Sequence, residues 1–142
     1  MVQTYDLPQA VVIEIFNQAG ISYSINDTEF KIFPFHVSTA QRALTTYFVS
    51  QKPKVLLPVQ FYFLLAKCGL DQVLNPLLEA VKSVDNEKYA MYKAYLNGAR
   101  YYEFSKAIGL YTELKDKILA LNPELDFSEE QLKVLWSEAG QV

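Results

Sequence analysis

The stretch from Asn86 to Leu121 constrains this chain more than any other. Phe104, Ala107, Tyr111, Leu114, Ile118 and Leu121 recur at alternating steps of three and four, which is a heptad seam on a helix. Upstream, Tyr89, Tyr92, Leu96 and Ala99 form a second stripe slightly out of phase with the first. The phase slips at Gly98–Ala99–Arg100, which predicts a bend or a break into two helices. A spine this rich in rings needs other apolar faces to cover it, and most of the remaining chain reads as that cover.

Asp6 reads as the cap of a first helix, with Gln9 three residues on and Pro8 in the first turn. Leu7, Val11, Ile15 and Ala19 follow at helical spacing, and Gly20 ends the helix. Ile21, Tyr23 and Ile25 then alternate with serines, and Phe30 and Ile32 alternate with Glu29 and Lys31. This predicts a hairpin turning at Asn26–Asp27. Asn26-Asp27-Thr28 also matches a glycosylation acceptor, and it is read as a turn. Ser38 or Thr39 is expected to cap a helix to about Ser50, with Ala40, Ala43, Leu44, Tyr47 and Phe48 inward. Lys52–Pro53–Lys54 stops that helix. Val55 to Lys67 reads as helical with a kink at Pro58, and Gly69 as its C-cap. Asp71 is expected to cap a helix to about Ser83, with Asn75–Pro76 as an alternative restart, and Asp85 to cap the spine. Ser128 and Gln131 form a capping-box signature before Leu132, Leu135, Trp136 and Ala139. The expected fold is mostly α, with one small antiparallel hairpin near the N-terminus. A helix–hairpin–helix subdomain is expected over 1–54 and a helical bundle over 55–142; the two could form one compact domain.

The 142 residues are 51% hydrophobic and 14% aromatic, enough to build a core and too much for a disordered chain. A net charge of −3, with Lys and Arg scattered, argues against nucleic acid as a partner. The longest nearly apolar stretch, Val55–Ala66, is too short to span a bilayer. No basic segment followed by an apolar run opens the chain, so no signal peptide is expected. The lone Cys68 reads as a core residue, and a reducing cytoplasm is the expected place of synthesis.

No catalytic residue, metal or cofactor is expected. One His and one Cys cannot fill a structural zinc shell, and there is no calcium loop, phosphate loop, nucleophile elbow or GxGxxG. Glu103 with Glu113 and Asp116 could be imagined as paired carboxylates, but Glu113 and Lys117 have the spacing of an ordinary surface ion pair. An enzyme whose site is assembled between copies of the chain would have to use His36, Glu103 or Glu113.

Tyr89, Tyr92, Tyr95, Tyr101, Tyr102 and Tyr111 crowd the spine. They fit a wide core face. They also fit a half-buried partner or self-association surface, where a ring is covered and a hydroxyl stays wet. The candidate partner-binding residues are Tyr89, Tyr92, Tyr95, Tyr102 and Trp136, with Phe30 and Ile32 on the hairpin. The expected partners are other protein subunits or copies of the chain.

Two resemblances add to this reading. Val12 to about Val59 resembles the TubC-like docking domains of peptide-synthetase subunits. It matches in a helix ending Ala19-Gly20-Ile21, the hairpin of Ile21, Tyr23, Phe30 and Ile32, the capped helix after Ser38–Thr39, and Lys52-x-x-Val55-Leu56-x-x-Val59. That resemblance implies capture of a partner peptide along Glu29–Phe33 by strand addition, and dimerisation. Phe61 to Ala139 is similar to short helical proteins encoded among the tail genes of tailed bacteriophages. It matches in Phe61, Leu65, Gly69-Leu70, Val73 and Phe127-Ser128-x-Glu130-Gln131-Leu132-x-x-Leu135-Trp136-x-x-Ala139. That similarity implies a tail structural or assembly protein acting through helical contacts, made in the host cytoplasm and carried in the virion.

Overall fold

The computed structural model describes residues 2–142, so Met1, the start of the expected first subdomain, lies outside the described residues. The chain divides into two compact units, one ending at Gln51 and the other spanning Lys52–Val142. The division falls between Gln51 and Lys52. Among the described residues there are seven α-helices, one hairpin near the N-terminus and a second, very short sheet, so the fold is mostly α.

The first unit is built from α1 (Gln9–Gln18), the hairpin β1 (Tyr23–Asn26) and β2 (Glu29–Ile32), and α2 (Val37–Ser50). Val12 and Phe16 from α1 meet Ala40 and Leu44 from α2, with Ile21 between them, in a small core. The register Tyr23↔Ile32 and Ile25↔Phe30 puts these apolar residues on one face of the hairpin. Phe16 receives Phe30 edge-on at 5.4 Å and lies 5.7 Å from Tyr23, so three rings fix the hairpin to α1. The two-residue loop is Asp27–Thr28, one place later than expected, and Asp27 takes the positive φ (58°) that such a loop demands. Gly20 turns the chain at φ 68°, as its position predicts.

Two expected caps are absent from this unit. Asp6 does not cap α1, which starts at Gln9 without a side-chain cap; Asp6 and Tyr5 both adopt positive φ. That turn serves the preceding arm. Gln3 and Gln41 exchange two hydrogen bonds, Tyr5 stacks on Phe48 at 4.4 Å, and the Tyr5 hydroxyl meets Thr45 Oγ1 at 2.8 Å. Neither Ser38 nor Thr39 caps α2. A 3₁₀ turn at Pro34–His36 delivers the chain already wound, and α2 begins at Val37.

The second unit holds α3 (Pro58–Cys68), α4 (Leu74–Val84), α5 (Asn86–Gly98), α6 (Phe104–Leu121) and α7 (Glu129–Ala139). The α4 helix packs on α5 and α6, and α3 packs on α7. The spine breaks where its phase slips. The α5 helix ends at Gly98, and Tyr102–Glu103 forms β4, antiparallel to β3 (Val55–Leu56). Val55–Leu56 is thus a strand rather than the start of a helix, and α3 starts at Pro58, whose missing donor suits the first turn. Asp71 lies in a 3₁₀ turn (Leu70–Gln72), and α4 restarts at Leu74 with Pro76 in its first turn. The other caps fall where the sequence puts them. Asp85 accepts from the Lys88 amide, Ser128 and Gln131 form both bonds of a capping box, and Gly69 closes α3 at φ 88°.

Candidate functional site

The candidate tyrosines divide by what their hydroxyls meet. Tyr102 leaves the spine, sits in β4, and is 0% exposed. Its ring lies flat on Phe61 at 3.9 Å and takes Tyr95 edge-on at 5.1 Å. Its single O–H is shared between the carbonyls of Tyr95 (3.0 Å) and Leu96 (2.8 Å), and the Tyr62 hydroxyl donates to Leu96 O at 2.7 Å. These carbonyls belong to the last turn of α5, where intrahelical donors run out. The chain leaves at Ala99 in an extended conformation, so phenols close the helix where a left-handed glycine commonly would. Burial, then the bond with Tyr62, pushes the Tyr102 phenol pKa well up. The Tyr95 hydroxyl is buried without a hydrogen-bond partner, and burial raises its pKa too.

Tyr92 faces the other way along α5. Its buried ring joins the core, and its hydroxyl donates to Glu113 at 2.7 Å. Burial and then the Glu113 carboxylate push its pKa up to about 12. Glu113 also accepts from Lys88 Nζ at 3.1 Å, and the two bonds hold its pKa below the usual carboxylate value. Its partner is therefore Lys88 on the neighbouring helix, not Lys117 one turn along its own. Trp136 is 2% exposed, packed edge-on against Phe104 at 5.3 Å, with its Nε1 donating to Pro53 O at 2.9 Å. Tyr92, Tyr102 and Trp136 are thus spent on the fold itself and present no open ring face to a partner. Tyr89 and Tyr95 remain half-buried, and Lys82 and Lys93 lie 5.2 Å and 5.6 Å from the Tyr89 ring. Phe30 and Ile32 are half-buried on the core side of the hairpin.

The residues weighed for catalysis are divided between the two units. His36 lies in the first unit, edge-on to Phe33 and Phe35, and Glu103 and Glu113 lie in the second. Cys68 is half-buried, and its thiol pKa is raised by burial, the wrong direction for a nucleophile. Among the described residues no cluster of His, Cys, Asp or Glu could hold a metal ion. Among the described residues no helix is long and apolar enough to cross a membrane.

Two features stand out that the sequence reading did not single out. One is an apolar pocket of about 90 Å³ in the helical unit, lined by Leu64, Leu77, Leu96, Ile108, Leu114 and neighbouring side chains. The other is a surface. Val55, Leu57, Val59, Tyr62 and Phe63 are all exposed, Val59 to 67%. Five large apolar side chains within nine residues exceed the scatter of single exposed residues normal on a monomer. Their signal was present as the alternation of Val55, Leu57 and Val59, a period of two where a helix period was read. In the first unit the end of β2 exposes Phe33 and Phe35, stacked at 5.8 Å, with Phe35 at 76%. Comparison with protein-family models, curated proteins and solved structures finds no match to this chain.

Proposed function

We propose that the protein is a non-enzymatic structural or assembly protein that works through protein–protein contacts of its helical unit, and that its setting is a bacteriophage tail. The observation that carries the first part is the exposed apolar row from Val55 to Phe63. Apolar and aromatic side chains clustered at a rigid helix start are what the buried centre of an interface is made of. The similarity of Phe61–Ala139 to tail-gene proteins supports the setting. Size-exclusion chromatography with light scattering, together with proteomics of purified particles, tests the reading. Self-association or a particle-bound complex that weakens in Val59→Asp is expected. A stable monomer absent from every particle would overturn it.

A second reading is favoured by one observation in the first unit. The hairpin is an isolated pair of strands, so each strand has an unpaired edge. With a two-residue loop closing on Asn26↔Glu29, ladder bonds form at that pair and at Ser24↔Lys31, which turns the amides of Phe30 and Ile32 outward. A partner peptide could add there as a third strand. Ile32→Pro removes an outward amide and spares the ladder. Lost peptide capture by a folded variant supports this reading, and unchanged capture dismisses it.

A further inference from the structure

The exposed apolar row continues onto the outer face of the two-stranded sheet in the helical unit. Leu56 and Tyr102 face each other across β3 and β4 and are both 0% exposed, so they mark the inner face. Val55 and Glu103, the next pair, therefore lie on the outer face. Continuing the register sets Tyr101 beside Leu57, and both are exposed. Val59, Tyr62 and Phe63 carry the apolar surface onto the first turns of α3. Resting on the reading of this row as an interface, we propose that its occupant is a second copy of the same surface, turned end for end in a two-fold dimer.

Area and charge both favour a copy of the chain. Val55, Leu57, Val59, Tyr62, Phe63 and Tyr101 are between 40% and 67% exposed. With about 150–250 Å² per large side chain, the six offer roughly 600 Å². Two copies bury roughly 1,200 Å² before any rim is counted, which reaches the range of stable specific interfaces. Opposite charges border the two ends of the sheet: Glu103 beside Val55, and the exposed Arg100 just before Tyr101. Neither is in an ion pair among the described residues. End-for-end packing brings Glu103 of each copy to Arg100 of the other, so one complementary pair is made twice. Packed in the same direction, the copies would set Glu103 against Glu103, so charge fixes the orientation. Leu57 holds the middle of the row, so it lies near the axis and meets its own counterpart.

The test is sedimentation velocity of the full chain from about 1 to 200 µM, a span suited to an interface of this modest size. A reversible shift from one-chain to two-chain mass is expected. Leu57→Asp is expected to raise the dissociation constant by about thirtyfold or more, as loss of a central anchor does. Leu57 is exposed and is the N-cap of α3, a place that suits Asp, so circular dichroism should stay unchanged. Glu103→Arg and Arg100→Glu should each weaken the dimer by about tenfold, and an equimolar mixture of the two should regain it. That recovery requires each copy to meet the opposite end of the other. Should Leu57→Asp misfold, the mixed charge variants decide. A mixture no tighter than either variant alone, a dimer indifferent to a folded Leu57→Asp, or a one-chain mass throughout would each overturn the proposal. A one-chain mass throughout in a protein that still joins purified particles removes the second copy and leaves the proposed function standing; absence from particles as well removes both.

Discussion

Replacing Tyr102 by Phe removes one oxygen from the centre of the helical unit and leaves its ring contacts in place. The oxygen serves two carbonyls at the end of α5, at 3.0 Å and 2.8 Å. Leu96 O keeps its bond from Tyr62, whereas Tyr95 O loses the phenol that closes it. A buried carbonyl left unmet costs about 1–3 kcal/mol, and the Tyr95 carbonyl is only part-buried, so Tyr102→Phe is expected to destabilise the unit by about 1.5 kcal/mol. Tyr62→Phe is the control. Its hydroxyl donates to Leu96 O, which Tyr102 still meets, and about 0.5–1 kcal/mol is expected. The double variant strips both carbonyls and should exceed the sum of the single changes by about 1 kcal/mol, because the two phenols share an acceptor. Urea unfolding followed by Trp136 fluorescence is the assay. Trp136 is the chain's one tryptophan and is buried in this unit, so the signal reports on it alone. The midpoint should fall at constant m. A thermal scan should show a loss of about 4–8 °C per kcal/mol for a unit of this size. A Tyr102→Phe variant within about 0.5 kcal/mol of the unaltered protein, or strict additivity with Tyr62→Phe, would refute the tyrosine closure of α5.

Two further outcomes follow from the geometry. The Tyr92 phenol is raised from 10.0 to about 12, so its contribution is whole below pH 10 and is lost as pH rises toward 12. The helical unit should therefore weaken over that window, and Tyr92→Phe should flatten that slope in pH-dependent urea midpoints. Gly69→Ala should cost about 1 kcal/mol or more, read as a lower thermal midpoint. The added Cβ would sit in ordinary contact, 3.5 Å from Leu125 Cδ2, so the loss comes from forcing a side chain to φ 88°.

The parts of the fold legible in the sequence are those set by residues near one another in the chain. The break in the spine, the Asp85 and Ser128 caps and the Gly20 and Gly69 turns each depend on fewer than about ten neighbouring residues. What escaped depends on distant partners. Val55–Leu56 is a strand only because Tyr102–Glu103 lies beside it, although the residue before Pro58 already favours an extended backbone. Asp6 fails as a cap because the arm before it is fastened to α2 through Gln41 and Thr45. Glu113 prefers Lys88 and Tyr92 because two helices meet there, and helical spacing sees only Lys117. For the candidate site, the presence of many rings was legible and their exposure was not. A surplus of rings was plain, but periodicity could not separate the phenols closing α5 from the apolar row at Val55–Phe63. Both patterns consist of aromatic and aliphatic side chains at short spacing, and only long-range packing tells them apart.

The grip of Trp136 on Pro53 has a topological consequence. Gln60 Nε2 also reaches the carbonyls of Gly140 and Val142, and a Cβ built on Gly140 would come within 2.6 Å of Pro53. The two ends of the helical unit therefore meet side by side, and its path is a nearly closed loop. Such a unit could be re-opened at an exposed turn, with its old ends spliced, and keep the same neighbours throughout. It could also be carried as an insertion in a foreign loop, entering and leaving through one narrow gap.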